Sequence, residues 1–180
     1  MTNFISDLTN DLFGIDNNLE IISLEEQYQQ AFLISEQINN QSRKWQVYFQ
    51  CLALFAFEEW LYEREPSLTV NTENSSTLQH QYANLIDAVC NLEVGNFQVC
   101  LIPSMLLTHE EIAIPRAAID LPEYTAHFYV VIGVDEELEI AAVKGFLRYD
   151  QLLNIKAELQ PEADWNYYIP LVQFNQEVDK

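Results

Sequence analysis

The sequence predicts an α+β fold in which an N-terminal helical layer packs on a curved, mostly antiparallel sheet or small open barrel. Three observations lead to this prediction. The first half of the chain carries apolar residues at helical spacing, the second half contains two segments that alternate around short turns, and the composition is apolar enough for a sizeable core. A helical layer packed on a sheet buries both kinds of pattern.

The composition indicates one folded unit. The chain has 180 residues, of which 49% are hydrophobic and 12% aromatic, and a compact chain of this length buries roughly 70% of its unfolded surface. We therefore expect it to fold despite a net charge of -20. We divide it into a helical part at residues 1–65, a loop at residues 66–79 and a mainly antiparallel β part at residues 80–180, all within one compact domain.

The charge balance argues against direct binding of nucleic acid. The chain has 28 acidic and 8 basic residues, and their field repels a phosphate backbone. Residues 1–42 contain no Lys or Arg but seven acids, namely Asp7, Asp11, Asp16, Glu20, Glu25, Glu26 and Glu36. The simpler interpretation is a solvated surface that keeps an aromatic-rich protein soluble. The sharper one is a docking surface for a basic partner, or a mimic of nucleic acid.

Targeting signals and cysteine usage predict a cytoplasmic protein that does not enter a membrane. Residues 1–13 have neither the basic start nor the apolar run of a signal peptide. The longest apolar runs, residues 51–57 and 128–134, are far shorter than the roughly 20 residues that span a bilayer. Three cysteines without a CxxC motif fit free thiols in a reducing compartment.

Two short helices are predicted before the long one. The first spans a stripe of four apolar residues, Phe4, Ile5, Leu8 and Leu12, and stops at Gly14. The second starts at residues 23–26, whose Ser-Leu-Glu-Glu sequence has the spacing of a capping box. Its apolar side consists of Leu24, Tyr28, Ala31, Phe32, Ser35 and Ile38.

Residues 45–62 (WQVYFQCLALFAFEEWLY) predict the central helix of the helical layer. Apolar residues, Trp45 among them, occupy two faces of this helix, so we expect it to be largely buried. Only a narrow polar strip remains, made of Gln46, Gln50, Glu58 and Glu59. After it, residues 66–79 have the composition of a loop with a short extended piece at residues 68–70, and a weak helix is predicted at residues 81–87.

The segment at residues 88–103 (AVCNLEVGNFQVCLIP) predicts a hairpin whose register follows from a two-residue turn at Gly95-Asn96. On one apolar face the predicted pairs are Val94 with Phe97, Leu92 with Val99, Cys90 with Leu101 and Ala88 with Pro103. On the other, half-solvated face they are Glu93 with Gln98, Asn91 with Cys100 and Val89 with Ile102. Because Cys90 then points inward and Cys100 outward, a disulfide between them is not expected.

A second hairpin is predicted from residues 127–134 and 138–145 around the acidic turn at residues 135–137. Its expected pairs are Val134 with Leu138, Ile132 with Ile140 and Val130 with Ala142. Both of its faces are apolar, which places it at the centre of the sheet. The remaining predicted elements are extended pieces at residues 112–114 and 119–121, a helix at residues 146–155 and a last strand at residues 165–174, which Pro170 keeps at an edge or bulge.

Motifs for nucleotide and metal chemistry are missing from the sequence. With four glycines it has neither GxGxxG nor a GxxxxGK loop. Its histidines, His80, His109 and His127, lie in different regions, and no second His follows His109 at the spacing of a zinc-binding helix. We therefore predict no cofactor and no metal ligands.

Three further candidates for chemistry have simpler explanations. The acids at residues 135–137 do not alternate over the roughly twelve residues of a calcium loop. Ser104 lacks a GxSxG elbow. Cys100, although expected to be exposed, would have its thiol pKa raised by acidic surroundings. We predict no catalytic residue, and the sequence does not assign residues that bind a partner.

Four ordered segments resemble a known family. They are residues 44–61 (KWQVYFQCLALFAFEEWL), residues 88–103, Ile114-Pro115 with Asp120, and residues 128–147 (FYVVIGVDEELEIAAVKGFL). In order and spacing they are similar to the cyanobacterial domain of unknown function 1822 (DUF1822), and the similarity covers nearly the whole chain. The chain departs from the family near Ala118, where relatives have a tryptophan. The resemblance implies a cytosolic cyanobacterial protein without an established activity, and it supplies no functional residues.

We therefore expect a noncatalytic protein-interaction or regulatory adaptor module that binds a protein partner, a basic one if the acidic region is its docking surface. Two alternatives stay open. An enzyme with a dispersed, motif-free active site would have a deep pocket with at least two titratable groups of shifted pKa. An acidic mimic of nucleic acid would bind a basic protein through acids spaced along one face.

Overall fold

The computed structural model describes residues 21–72, 90–107, 111–122, 124–158 and 165–175. In chain order its elements are β1 (Ile22–Ser23), α1 (Gln27–Ser35), α2 (Gln41–Arg64), β2 (Val70–Asn71), β3 (Cys90–Val94), β4 (Phe97–Met105), β5 (Glu111–Pro115), α3 (Ala117–Asp120), β6 (Phe128–Asp135), β7 (Ile140–Arg148), α4 (Tyr149–Glu158), β8 (Asn166–Pro170) and a 3₁₀ helix (Leu171–Asn175). The helices predicted within residues 4–14 and 81–87 lie outside the described residues.

The α+β prediction is confirmed, and the main sheet is curled into a half-barrel. Its six strands lie in the order β1-β7-β6-β4-β3-β2, and β5 and β8 form a separate two-stranded ribbon. Strand β4 pairs with β6 in parallel, whereas the other pairs are antiparallel. The sheet is therefore mixed, with the first hairpin joined to the second through its one parallel pair.

Both faces of the main sheet are covered, which makes β6 the most buried strand. Val130 and Ile132 pack in a core shared with α1 and α2. Tyr129 and Val131 pack in a second core, with residues of the β5–β8 ribbon, α3 and α4. A strand that is covered on both sides has no solvated face, which explains the uninterrupted apolar sequence of β6.

The predicted register of the β3–β4 hairpin is confirmed over its described residues. The observed pairs are Val94 with Phe97, Leu92 with Val99, Cys90 with Leu101, Glu93 with Gln98 and Asn91 with Cys100. The pairs predicted for Ala88 and Val89 lie outside the described residues. Gly95 has a φ of 58°, as the first central position of a type II′ turn requires.

The predicted exposure of Cys100 is wrong. Its side chain is fully buried together with Ile102, because the β5–β8 ribbon covers the face of the hairpin that its local sequence leaves half polar. The burial of this face cannot be predicted from the hairpin sequence, since the ribbon that covers it comes from later parts of the chain.

The register predicted for the second hairpin is also wrong. The observed pairs are Val134 with Ala141, Ile132 with Val143 and Val130 with Phe146. Two features shift the pairing. The turn takes four residues, because Asp135 Oδ1 accepts hydrogen bonds from the backbone N–H groups of Glu137 and Leu138. A bulge then inserts Lys144 between Val143 and Gly145, which pair with Ile132 and Val131.

Helices α1 and α2 differ from the prediction in how α1 begins and in which of their aromatic side chains are exposed. Ser23 does not cap α1, since it lies in β1 and pairs with Ile140. Phe32, predicted on the buried side of α1, is exposed. Helix α2 is the central buried helix as predicted, but Trp45 near its start is 54% exposed. Asn40 caps α2, and its side chain accepts a hydrogen bond from the N–H of Arg43.

Boundaries in the second half shift by a few residues. Strand β5 confirms the extended piece at residues 112–114. Residues 119–121 were expected to be extended, yet the backbone turns into α3, where Arg116 O accepts hydrogen bonds from the N–H groups of Ile119 and Asp120. Strand β7 continues through Arg148 before α4 begins, and β8 ends at Pro170. No helix in the described part of the chain is long and apolar enough to cross a membrane.

Candidate functional site

Three aromatic side chains link α1 to α2 on the helical side of the molecule, and we call them the aromatic ridge: Tyr28, Tyr48 and Trp45. The rings of Tyr28 and Tyr48 lie edge to face with centroids 5.9 Å apart. The rings of Tyr48 and Trp45 are 5.6 Å apart in the same arrangement. Such pairs contribute about 0.5–1.5 kcal/mol beyond the burial of their area. The ridge therefore holds the exposed Trp45 in a defined orientation.

On one side of the ridge lies a groove of about 430 Å³, which we call the α2 groove. It runs between the start of α2, the end of β4 and the β6–β7 turn. Its lining consists of Trp45, Gln46, Phe49, Gln50, Pro103, Met105 and Glu136. Its outer walls are exposed, Met105 to 57%, whereas Gln50 at its base is buried. The groove thus combines apolar walls with a few polar groups, as small binding sites commonly do.

Glu136, which lines the α2 groove, has a carboxyl oxygen in an unusual environment. Its Oε1 atom is fully buried and receives no hydrogen bond from any residue that the structure describes. Burial raises the pKa of this carboxyl group. The residue itself is well anchored, because Tyr28 Oη donates a hydrogen bond of 2.8 Å to its backbone oxygen. A buried acceptor without a donor costs free energy, so a donor from outside would be favoured here.

A second groove, the α1 groove, lies on the other side of the ridge and has a volume of about 620 Å³. It is lined by Glu25, Tyr28, Gln29, Phe32, Leu33, Tyr48 and Glu139. Phe32 and Leu33 are both exposed. Burial raises the pKa of Tyr28 and of Tyr48, so both hydroxyls stay protonated at neutral pH. The two grooves and the ridge between them make one continuous, largely apolar surface with glutamates in both grooves.

A different cluster surrounds Asp120 on the opposite side of the sheet. Lys156 Nζ and Tyr167 Oη donate hydrogen bonds to this carboxylate, and Arg116 Nε lies 3.5 Å from Oδ2. Both cations also lie over the Tyr167 ring, 5.4 Å away for Arg116 and 5.3 Å for Lys156. Burial alone would raise the pKa of Asp120, but these donors and charges together lower it. The cluster joins α3, α4 and β8, so its role is to stabilise the packing of these elements.

Lys144 is a buried cation at the β7 bulge. Its Nζ donates a hydrogen bond of 3.3 Å to the backbone oxygen of Met105, and burial lowers its pKa. Its stem crosses Gly133, where a Cβ atom would lie 2.7 Å from Lys144 Cδ. The lysine therefore supports the end of β4, which forms one wall of the α2 groove.

The residues weighed for chemistry in the sequence are not brought together. His127 Nδ1 accepts a hydrogen bond from the N–H of Gln98, so this histidine braces the hairpin. Ser104 Oγ donates a hydrogen bond of 3.4 Å to the backbone oxygen of Met105, and Cys100 is buried. His80 and His109 lie outside the described residues. Among the residues that the structure describes, no three His, Cys, Asp or Glu side chains gather as metal ligands would.

Sequence reasoning missed the α2 groove. In the sequence pattern, Trp45 is one of many apolar residues of a buried helix, and Glu136 is one of three acids in a charged turn. Local spacing gives no signal for this groove. The pairing of Trp45 with Glu136 in one groove needs the packing of α2 across β4 and β6.

Comparison with known proteins gives one match. The model of a family described as "Protein of unknown function (DUF1822)" matches residues 22–179. No curated protein and no solved structure matches significantly.

Proposed function

Since the chain belongs to the DUF1822 family, whose function is unknown, we propose from its own surface that it is a noncatalytic protein-interaction module of the regulatory adaptor type. Its docking surface is the aromatic ridge with the α1 and α2 grooves. We propose further that it acts in the cytoplasm and does not bind nucleic acid directly. The single observation that carries the proposal is the continuous exposed apolar surface around Trp45.

The exposed apolar residues of this surface are contiguous and not scattered. Trp45 and Met105 share the α2 groove, and Phe32 and Leu33 share the α1 groove. The ring contacts of the ridge join the two grooves. Contiguous exposed apolar patches with polar margins mark interaction sites in soluble proteins. Aromatic side chains such as Trp45 are also the residues that most often dominate binding energy.

Charge defines the chemistry of the partner. The chain carries a net charge of -20, and Glu25, Glu136 and Glu139 line the two grooves. A complementary partner segment would present apolar anchors flanked by Lys or Arg. Such complementarity accelerates association and makes it sensitive to salt.

The alternatives have less support. Tyr28 and Tyr48 are two groups of shifted pKa in the α1 groove, but both pKa values are raised, so neither hydroxyl is ready to act as a base at neutral pH. The Asp120 carboxylate is already occupied by two cations and a tyrosine. Four of the seven acids of residues 1–42, on which a mimic of nucleic acid would depend, lie outside the described residues. The cytoplasmic location is supported by the absence of a CxxC motif among the three cysteines and by the burial of Cys51 and Cys100.

Selection of peptides from a random display library on the full chain tests the proposal. We expect enriched peptides to combine aromatic or aliphatic anchors with Lys or Arg. Trp45→Ala should weaken their binding about tenfold or more, as truncation of an interface tryptophan does. Fluorescence polarisation of labelled peptides measures the dissociation constants.

Tyr62→Ala is the matched control. Tyr62 lies on the same helix and is 67% exposed, but it lines neither groove. Binding should be unchanged in this variant. Peptides that bind both variants as tightly as the parent chain, or a selection without any peptide sensitive to Trp45→Ala, would contradict the proposal.

A further inference from the structure

We infer that the α2 groove is a binding site for an arginine side chain, whose guanidinium pairs with the Glu136 carboxylate and stacks on Trp45. The inference rests on the proposed function and names one residue type that the partner supplies. It follows from three features of the groove: an acceptor that lacks a donor, an aromatic wall and apolar walls for an aliphatic stem.

The acceptor is the carboxylate of Glu136. Its buried Oε1 atom has no hydrogen-bond donor among the described residues, while Tyr28 holds its backbone in place. The guanidinium of Arg43, on the same helix as Trp45, donates a hydrogen bond of 3.2 Å to Gln46 Oε1. A cation that enters the groove, with the carboxylate turned toward it, would offset the cost of leaving a buried charge without a donor.

The aromatic wall is Trp45. Its ring lies edge to face with that of Tyr48, and the residue is 54% exposed, so part of Trp45 remains open to a ligand. Tryptophan is the best of the aromatic side chains for contact with a cation, and arginine forms such contacts more often than lysine. The wall therefore favours a cationic group over a neutral one.

The remaining walls suit an aliphatic stem. Phe49, Pro103 and Met105 line the groove between Trp45 and the end of β4. Long basic side chains bury their methylene groups along apolar surface and keep the charged end at a polar group. The volume of about 430 Å³ lies in the lower part of the range of about 300–1,000 Å³ for small-ligand sites, which suits one side chain better than a folded element.

Arginine fits better than lysine for geometric reasons. The guanidinium is planar, carries five donors and can give two parallel hydrogen bonds to one carboxylate while it stacks on a ring. It is also more weakly hydrated than an ammonium group, so entry into an apolar groove costs less. Lysine offers a point charge without a stacking plane.

The test uses small probes and the full ¹⁵N-labelled chain. N-acetyl-arginine amide, N-acetyl-citrulline amide and N-acetyl-lysine amide are titrated while NMR follows the Trp45 indole N–H. Citrulline keeps the shape of arginine but is neutral. We expect the arginine probe to bind at least about fivefold more tightly than citrulline, because charge-assisted hydrogen bonds are about twice as strong as neutral ones. Lysine should bind between the two.

Two matched variants locate the effect. Glu136→Gln should reduce arginine binding to the level of citrulline. Glu139→Gln removes a charge from the same turn but from the other groove, so arginine binding should change by less than about twofold. The NMR spectrum of each variant shows directly whether the fold is kept.

Equal binding of arginine and citrulline would overturn the inference, as would equal effects of the two variants or tighter binding of lysine. These outcomes differ from failure of the proposed function. Peptides that need Trp45 but tolerate replacement of arginine by citrulline would leave the interaction module standing and remove the arginine site. Arginine binding without any Trp45-dependent peptide would remove the interaction module instead.

Discussion

At the scale of single residues, two carboxylates show how surroundings decide the role of the same chemical group. Asp120 accepts hydrogen bonds from Lys156 and Tyr167, and its pKa is lowered. Glu136 is desolvated, and its pKa is raised. The first carboxylate is fully used within the fold. The second keeps unused hydrogen-bonding capacity, which is what a binding site requires.

Asp120→Asn should lower the free energy of unfolding by about 1 kcal/mol at pH 7, a modest value because the side chain is 28% exposed and its ion pairs are screened by solvent. A carboxylate with a lowered pKa stabilises the fold above its ordinary pKa of about 3.9. The contribution of the Asp120 carboxylate to the free energy of unfolding is therefore lost as the pH falls through its folded-state pKa. Urea unfolding of both chains from neutral to strongly acidic pH should therefore show a difference that shrinks toward zero.

The same attraction is lost at high pH. The hydrogen bond from Lys156 to Asp120 raises the pKa of Lys156, so its contribution to stability is present below the ordinary lysine pKa of about 10.4 and disappears above the raised pKa.

Asp150→Asn is the control for Asp120→Asn, since the ion pair of Asp150 with Arg148 is more exposed. A difference between Asp120→Asn and the parent chain that stays constant into strong acid would refute the assignment.

At the scale of elements, the β6–β7 turn connects the sheet to the helical layer and shapes both grooves. Asp135 organises the turn through two hydrogen bonds from the backbone. Leu24 N then donates to Glu139 O at 2.8 Å, and Tyr28 Oη donates to Glu136 O. The start of α1 is thus tied to the turn that carries Glu136 and Glu139, one glutamate from each groove, so the helix and the turn form one structural unit.

Glu139 closes this turn with a φ of 54°, a left-handed conformation that is costly for a side chain with a Cβ atom. Glu139→Gly should therefore be more stable than Glu139→Ala by about 0.5–1 kcal/mol, after the greater freedom of glycine in the unfolded chain is allowed for. Both variants lose the same charge, so chemical denaturation of the pair isolates the backbone effect. Equal stability would show that the turn relaxes out of this conformation.

At the scale of the whole molecule, the fold has to hold a net charge of -20 together. Two apolar cores, one on each face of the sheet, supply the attraction. Repulsion among the surface acids opposes it. The same charge would draw the basic partner that we propose toward the aromatic ridge.

Monovalent salt should raise the melting temperature. An increase in ionic strength from about 0.01 M to about 0.5 M shortens the screening length from roughly 30 Å to a few ångströms and weakens repulsion among the acids. Calorimetry in sodium and in potassium chloride should give the same rise, because screening depends on ionic strength. A melting temperature that falls with salt would mean that attractive ion pairs outweigh the repulsion.

Local spacing by itself determined the fold class and the register of the first hairpin. A two-residue turn leaves one pairing for Val94 and Phe97 and all the pairs that follow, so no distant contact is needed. Only the tertiary structure decided the rest. The β5–β8 ribbon buries Cys100, and the bulge at Lys144 and the longer turn shift the second hairpin. The packing of α2 across the sheet leaves Trp45 exposed beside Glu136, because burial and neighbourhood depend on which distant surfaces meet.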